Sequence, residues 1–192
     1  MTYRMMLLFL TAVVAAANAR AQDLTLYAGS AEERAAVAVQ RLTNKDALVR
    51  QRAAEELARL RAINKRKLVE GYRLQEKNKR VQLALDWALY RMGKSENLYA
   101  IVRALDSPRH NQAYAYLIEL ESPEPLYPIL SRVNDKTQIR LLEVLARIGD
   151  AETLKRIEPF LSATDARIAD AARFAEREIK LRLESRSSPS AH

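Results

Sequence analysis

A dense group of basic side chains lies between residues 59 and 80 of this 192-residue chain. The segment reads RLRAINKRKLVEGYRLQEKNKR and holds nine Lys or Arg against two Glu, a net charge of +7, close to the +8 of the whole chain. Such a cluster attracts anions over about a Debye length. The candidate anion-binding residues are Lys65, Arg66, Lys67, Arg73, Lys77, Lys79 and Arg80. The alternative interpretation is an ordinary solvated helix rich in lysine.

A second group of side chains suits protein recognition, because Tyr and Arg are the types most enriched at interface hot spots. Tyr99 and Tyr127 lie 28 residues apart, and Lys155 follows at the next step of the same length. The candidate protein-binding residues are Tyr99, Arg103, Tyr127, Arg132, Lys155 and Arg156. The alternative is that both tyrosines only cover neighbouring helices.

The residue types give catalysis little support. The chain has no cysteine, which excludes disulfides, thiolate nucleophiles and Cys-metal sites together. Neither of its two histidines, His110 and His192, has a partner spaced for a catalytic triad or a metal site. Because a Gly-rich phosphate loop is also lacking, we predict a protein that is not an enzyme and needs no cofactor or metal.

Helices must position these side chains. About half of the residues are apolar, and the chain is rich in Ala, Leu, Arg and Glu with only four glycines. Residues of these types lose little side-chain freedom in a helix, whereas glycine loses much. The chain shows no alternating strand pattern and no Asn-Gly or Asp-Gly hairpin signal. We therefore predict an all-α protein with one continuous core.

An internal repeat organises the helices. Segments 89–105, 117–133 and 145–161 share one apolar pattern at a spacing of 28 residues. The matched apolar positions include Leu89, Leu117 and Leu145, then Leu98, Leu126 and Leu154, then Ile101, Ile129 and Ile157. Each unit reads as two helices with one apolar stripe apiece. Since neither helix can bury its stripe alone, the units must stack.

The turn residues follow the same register. Gly93 and Gly149 come just after first helices, where a left-handed residue closes the C-terminus, and Asp150 is placed to cap the next helix. Glu121 stands where the intervening unit would carry that glycine. Trp87 takes a position that is glutamate in other units, so we expect it either to be half-exposed or to fill a gap.

These motifs resemble the HEAT-like repeat family in its short bacterial form, which includes the HEAT-like repeats of phycobilisome lyases. VRQRAAEELARL (49–60) carries the first half of the family pattern and LARIGDAETLKRIEPFL (145–161) the second. The resemblance covers 45–183. It implies a right-handed α-solenoid of stacked antiparallel helix pairs whose second helices line a concave, partner-binding face. The resemblance also implies a remote alternative function, that of a lyase-like enzyme.

The register predicts ten helices in a solenoid that spans 30–183. A lone helix comes first, four pairs follow and a long charged helix ends the array; the expected bounds are 30–42, 47–61 with 64–78, 80–92 with 95–105, 109–120 with 123–133, 136–148 with 151–161, and 165–183. The polar segment 184–192 is expected to be a disordered tail.

The first 21 residues read as a signal peptide, and 22–29 as a linker. MTYR is positively charged, MMLLFLTAVVAAA is a 13-residue apolar run, and small residues follow at the spacing that signal peptidase requires. Cleavage would leave Arg20 or Gln22 at the N-terminus. The run is shorter than the roughly 20 apolar residues that span a bilayer, although an N-terminal membrane anchor is the alternative. We predict a periplasmic or secreted protein with no transmembrane segment in its mature chain.

Two functions follow. The first is an exported, non-catalytic scaffold that binds another protein through the concave face. The second is an envelope-associated binder of polyanions or anionic surfaces that acts through the basic residues of 59–80. Export argues against nucleic acid as the partner. Salt separates the two functions, because binding by the basic residues should weaken as ionic strength rises and apolar binding should persist.

Overall fold

The computed structural model describes residues 30–187, and within them all regular structure is helical, in ten α-helices. The helices are α1 (Ala31–Arg41), α2 (Ala47–Arg59), α3 (Arg66–Gln75), α4 (Lys79–Arg91), α5 (Asn97–Arg103), α6 (His110–Leu117), α7 (Tyr127–Leu130), α8 (Asp135–Ile148), α9 (Ala151–Ile157) and α10 (Ala166–Ser187). The predicted all-α class is confirmed. The predicted signal peptide (1–21) and linker (22–29) lie outside the described residues.

The second helices of the repeat units are shorter than predicted. The expected helix at 123–133 consists of a 3₁₀ turn, Glu124–Leu126, followed by the single α-turn of α7. Pro128 explains this, because it lacks the N–H that a continuous helix would bond to the Glu124 carbonyl, whereas Pro125 falls in the first turn, where proline is tolerated. The shortened helix leaves the neighbouring surface open, and the candidate site lies there.

One connected core runs through the array. The three first-helix leucines of the predicted register, Leu89, Leu117 and Leu145, are all buried. The second helices follow the register less closely, because Leu126 is fully buried whereas Leu154 is only partly buried. The neighbouring residue, Thr153, is fully buried instead. Its polar hydroxyl can be buried because it donates a hydrogen bond to Asp150.

The final helix, α10, packs mainly along α8 and closes the end of that helix. Arg182 donates to the carbonyl oxygens of Ala146 at 2.8 Å and Gly149 at 2.6 Å, which satisfies acceptors at the C-terminus of α8. α10 continues to Ser187, past the predicted boundary at 183, and 188–192 lie outside the described residues.

The two turn glycines differ. Gly93 has the predicted left-handed backbone, with φ 94°. The same prediction is wrong for Gly149, whose φ is −63°. Gly149 is instead required by close packing, because a Cβ there would lie 2.5 Å from the Leu145 carbonyl oxygen and 2.7 Å from Ile179 Cδ1.

Glycine replacements should therefore have opposite effects at Gly71, inside α3, and at Gly149, just after α8. A Cβ added at Gly71, inside α3, would meet no atom within 4 Å, so Gly71→Ala should raise the free energy of unfolding by about 0.5–1 kcal/mol. Gly149→Ala should lower it by about 1–3 kcal/mol through overpacking. Urea denaturation measures both changes. An unchanged midpoint for Gly149→Ala would contradict the tight contact between α8 and α10.

Candidate functional site

An apolar groove with a volume of about 640 Å³ lies between α5 and the segment around α7. We call it the second-helix groove; its principal wall residues are Tyr90, Tyr99, Pro125, Pro128, Ile129 and Arg132. Tyr99 is 43% exposed although it projects from a helix whose Leu98 and Ile101 are buried. The groove therefore offers an aromatic side chain and two prolines to an apolar ligand group.

Two arginines meet at one end of the second-helix groove. Arg103 and Arg132 line an adjoining pocket of about 330 Å³, which shares Tyr99 and Arg132 with the groove. Both arginines are exposed, and neither has an ion-pair partner within residues 30–187. An exposed guanidinium of this kind can bind a carboxylate through two parallel hydrogen bonds. Asp106 lines the same pocket, so two guanidinium groups and one carboxylate meet there, and the net positive charge suits an acidic group on a ligand.

Tyr127 has different surroundings from Tyr99. Its hydroxyl lies 2.7 Å from Thr153 Oγ1 and donates to Asp150 Oδ1 at 3.2 Å, and the guanidinium of Arg156 lies 5.6 Å from its ring centroid. Burial raises the pKa of Tyr127 above its ordinary value, and the nearby Asp150 carboxylate adds to this. These contacts join α7 to the start of α9, so packing accounts for Tyr127.

The structure thus divides the six predicted protein-binding residues. Tyr99, Arg103 and Arg132 line one continuous surface, whereas Tyr127 and Arg156 contact each other. Lys155 forms an ion pair with Glu152 at 3.0 Å.

Two members of the predicted anion-binding set are already paired. Lys65 lies 2.6 Å from Glu32. Arg73 donates to both carboxylate oxygens of the buried Asp86, at 2.7 and 3.0 Å. The remaining members of the set, which have no ion-pair partner within residues 30–187, are Arg66, Lys67, Lys77, Lys79 and Arg80. The basic surface is therefore narrower than the sequence indicated.

Apolar side chains stand among these cations, and the sequence analysis did not identify them. Leu68 is 53% exposed and Leu74 is 86% exposed, although both lie on α3. The buried side of α3 is held by Val69, and Lys67 lies on the exposed side with the leucines. A helical wheel of residues 66–75 could have identified the two leucines, because it places Leu68 and Leu74 away from the side of the helix that carries Val69.

Trp87 fills a gap between helices and is not half-exposed, the other outcome that the sequence allowed. It is 2% exposed and stacks on Tyr116 at 5.5 Å and on Tyr90 at 5.6 Å between ring centroids. The Tyr116 hydroxyl donates to Glu55 Oε1 at 2.6 Å, and burial raises the pKa of Tyr116 far above its ordinary value. The arrangement is a rigid aromatic cluster between α4 and α6.

Within the described residues, no group of three His, Asp or Glu side chains is placed to hold a metal ion. His110 is exposed in the first turn of α6. Among residues 30–187, no helix combines the length and the apolar character needed to cross a lipid bilayer.

Comparison with known proteins adds little. No protein-family model and no curated protein matches the chain. One solved structure, that of an engineered protein, aligns with 20% sequence identity and a TM-score of 0.36, over 80% of this chain and 85% of that chain. A likeness of that degree carries no functional information.

Replacing the buried Asp86 tests whether its ion pair with Arg73 stabilises the fold. Asp86→Ala removes the acceptor of both Arg73 and Asn97, and it should lower the free energy of unfolding by about 2–4 kcal/mol. The exposed Asp106, which has no hydrogen bond within residues 30–187, is the control, and Asp106→Ala should change stability by less than about 0.5 kcal/mol. Equal effects in urea denaturation would contradict a structural role for the Arg73–Asp86 pair.

Proposed function

We propose that this protein is an exported, non-catalytic scaffold that binds a segment of another protein in the second-helix groove. The observation that carries the proposal is the exposure of Tyr99 between an apolar wall and the unpaired guanidinium groups of Arg103 and Arg132. An exposed aromatic beside arginine is the usual composition of an interface hot spot. An apolar side chain of the partner would enter the groove, and an acidic one would meet the arginines.

The wider setting of the proposal comes from the sequence. The repeat register and its turn residues support a HEAT-like, right-handed solenoid whose concave face includes the second-helix groove. The N-terminal charge, apolar run and small residues support export by a signal peptide, with periplasmic or secreted localisation. A short array of stacked units suits binding rather than catalysis, because its neighbouring second helices form an extended surface.

Cross-linking in living cells tests the proposal. A photoreactive amino acid at position 99 should give one dominant adduct with another protein, because that side chain would lie inside the interface. The matched control is position 174 on α10, where Phe174 is an aromatic of similar exposure, 42%. Adducts of equal yield and identity at both positions would count against a specific groove interface.

A second function, binding to an anionic surface, is favoured by a different observation. The exposed side of α3 presents Leu68 and Leu74 beside Lys67, and Lys77 lies two residues beyond the end of the helix. Helices that combine exposed leucines with lysine or arginine bind the interface of anionic membranes. Pairing of two copies through this surface is disfavoured, because a two-fold interface would bring the same positive charges together.

Vesicle co-sedimentation tests the second function. The protein should bind vesicles that contain phosphatidylglycerol and should not bind vesicles of phosphatidylcholine alone. Because each basic residue near an anionic surface contributes about 1 kcal/mol, Lys67→Gln with Lys77→Gln should weaken binding at least about tenfold. The control pair, Lys45→Gln with Lys136→Gln, removes the same charge elsewhere and should have a smaller effect. Equal losses would show that net charge alone drives the binding.

A further inference from the structure

The turns that follow the first helices of three successive repeat units meet at one cleft. Arg61 follows α2, Gly93 follows α4 and Glu121 follows α6, and all three line a cleft of about 380 Å³. The Arg61 guanidinium contacts a carboxylate oxygen of Glu121, and Arg91 Nη2 lies 3.8 Å from the same oxygen. Gly93 adds no side chain to the cleft, and a Cβ there would meet no atom within 4 Å.

The aromatic cluster fixes Arg91 in this cleft. Its guanidinium carbon lies 5.3 Å from the ring centroid of Trp87, which is within the range of a cation–π interaction. Burial lowers the pKa of Arg91, and the charge of Arg61 lowers it further. Both guanidinium groups lie at the carboxylate of Glu121, a side chain that is 72% exposed, and the Glu119 carboxylate partly offsets the lowering of the Arg91 pKa. Among the residues that line the cleft there is one more positive charge than negative charge.

The backbone of Arg61 lies in the left-handed region, which is strained for any residue other than glycine. Its φ is 46°, and its N–H donates to the Ala58 carbonyl at 3.1 Å while the N–H of Ala62 donates to Leu57 at 3.3 Å. This pattern is a Schellman motif, in which glycine takes the left-handed position without steric cost. α4 ends in the same motif with Gly93 in that place. Arg61 therefore carries a backbone cost that glycine would avoid, which makes its side chain a candidate for a functional role.

The cleft is continuous with the second-helix groove, because Tyr90, Ser95 and Pro125 line both. We propose that Arg61 and Arg91 bind a carboxylate of the protein segment that lies in the groove, and that this carboxylate displaces Glu121. The inference rests on the proposed protein-binding function and adds the chemistry of the partner, an acidic side chain or C-terminal carboxylate next to apolar residues. Glu121 places a carboxylate beside both guanidinium groups, and the nearby Leu120 and Pro125 suit the methylene groups of an acidic side chain.

The site can be tested on the purified protein without the partner. Glutarate and inorganic phosphate are titrated against the arginine Nε–Hε signals in NMR spectra, which report on Arg61 and Arg91 directly. Glu121→Gln removes the internal competitor and should tighten glutarate binding about tenfold, the equivalent of about 1.4 kcal/mol. The control is Glu124→Gln, which removes an exposed charge close by and should leave the affinity unchanged. Tighter binding of phosphate than of glutarate would overturn the assignment to carboxylates.

Arg61→Gly separates a binding role from a structural one. It keeps the Schellman motif and relieves the strained backbone, so the melting temperature should stay the same or rise while glutarate affinity falls at least about tenfold. A lower melting temperature with unchanged glutarate affinity would overturn the inference, because Arg61 would then serve only the ion pair. Partner binding that is lost in Tyr99→Ala and kept in Arg61→Gly would also overturn it and would leave the groove intact. Failure of the cross-link at position 99, with Arg61→Gly still abolishing glutarate binding, would instead refute the groove.

Discussion

Replacing Trp87 by alanine is expected to lower the free energy of unfolding by about 3–5 kcal/mol, the range typical for large aromatic side chains removed from a core. Trp87 is almost fully buried, and it stacks on Tyr90 and Tyr116, which come from two different helices. The truncation would leave a cavity between α4 and α6 and would also remove two aromatic contacts and the support of Arg91. Urea denaturation followed by circular dichroism measures the change.

Phe174→Ala is the matched control for Trp87→Ala. Phe174 is also aromatic, but it is well exposed on α10, so its removal should cost less than about 1 kcal/mol. Trp87→Phe should recover part of the lost stability because it keeps an aromatic ring in the gap. Equal losses for Trp87→Ala and Phe174→Ala would contradict the aromatic cluster.

The second large effect is expected at Leu126. Leu126→Ala should lower the free energy of unfolding by about 2–5 kcal/mol, because the side chain is fully buried and its removal leaves a cavity. Leu154, the equivalent position one unit later, is only partly buried, so Leu154→Ala should cost about 1–2 kcal/mol. If Leu154→Ala were the more damaging change, the packing of α9 described above would be wrong.

Hydrogen exchange adds the location of the damage. If the units stack as the proposed solenoid, they contact mainly their neighbours, so Leu126→Ala should first weaken amide protection in α6, α7 and α8. Uniform loss of protection from α1 to α10 would indicate a single cooperative core instead of nearest-neighbour stacking.

The sequence predicted the helices well because their signal is local. Apolar residues three and four apart identify a buried helix face wherever they occur, and Leu89, Leu117 and Leu145 were found in this way. The left-handed turn at Gly93 also follows from local chemistry. The same reasoning failed at Gly149, where the backbone is extended and the space for a side chain is filled in part by Ile179 of α10, which is remote in sequence.

The candidate site was predicted only in part, since side-chain partners depend on tertiary contacts. Tyr99 and Tyr127 occupy equivalent repeat positions, yet only Tyr127 faces a hydroxyl and a carboxylate on the next unit. Arg73 looked like a free cation until the fold brought Asp86 against it. Arg61 shows the same limit, because nothing local indicates that its side chain meets Glu121 across an intervening unit.

The most direct test of the groove is the affinity of the purified protein for the partner captured by the cross-linker at position 99. The double variant Tyr99→Ala with Arg132→Ala should weaken that affinity at least about tenfold, since hot-spot truncations typically cost 2 kcal/mol or more. Its melting temperature should stay within a few degrees of the wild-type value, because both side chains are exposed. Tyr127→Phe is the control and should reduce stability without changing affinity, because it removes only the hydroxyl that joins α7 to α9.

Isothermal titration calorimetry at low and at moderate salt measures these affinities. We predict that the part of the loss due to Tyr99 persists at both salt concentrations, because apolar contacts are insensitive to screening, whereas the part due to Arg132 shrinks as salt rises. Wild-type affinity in the double variant, together with an unchanged melting temperature, would contradict binding through the second-helix groove.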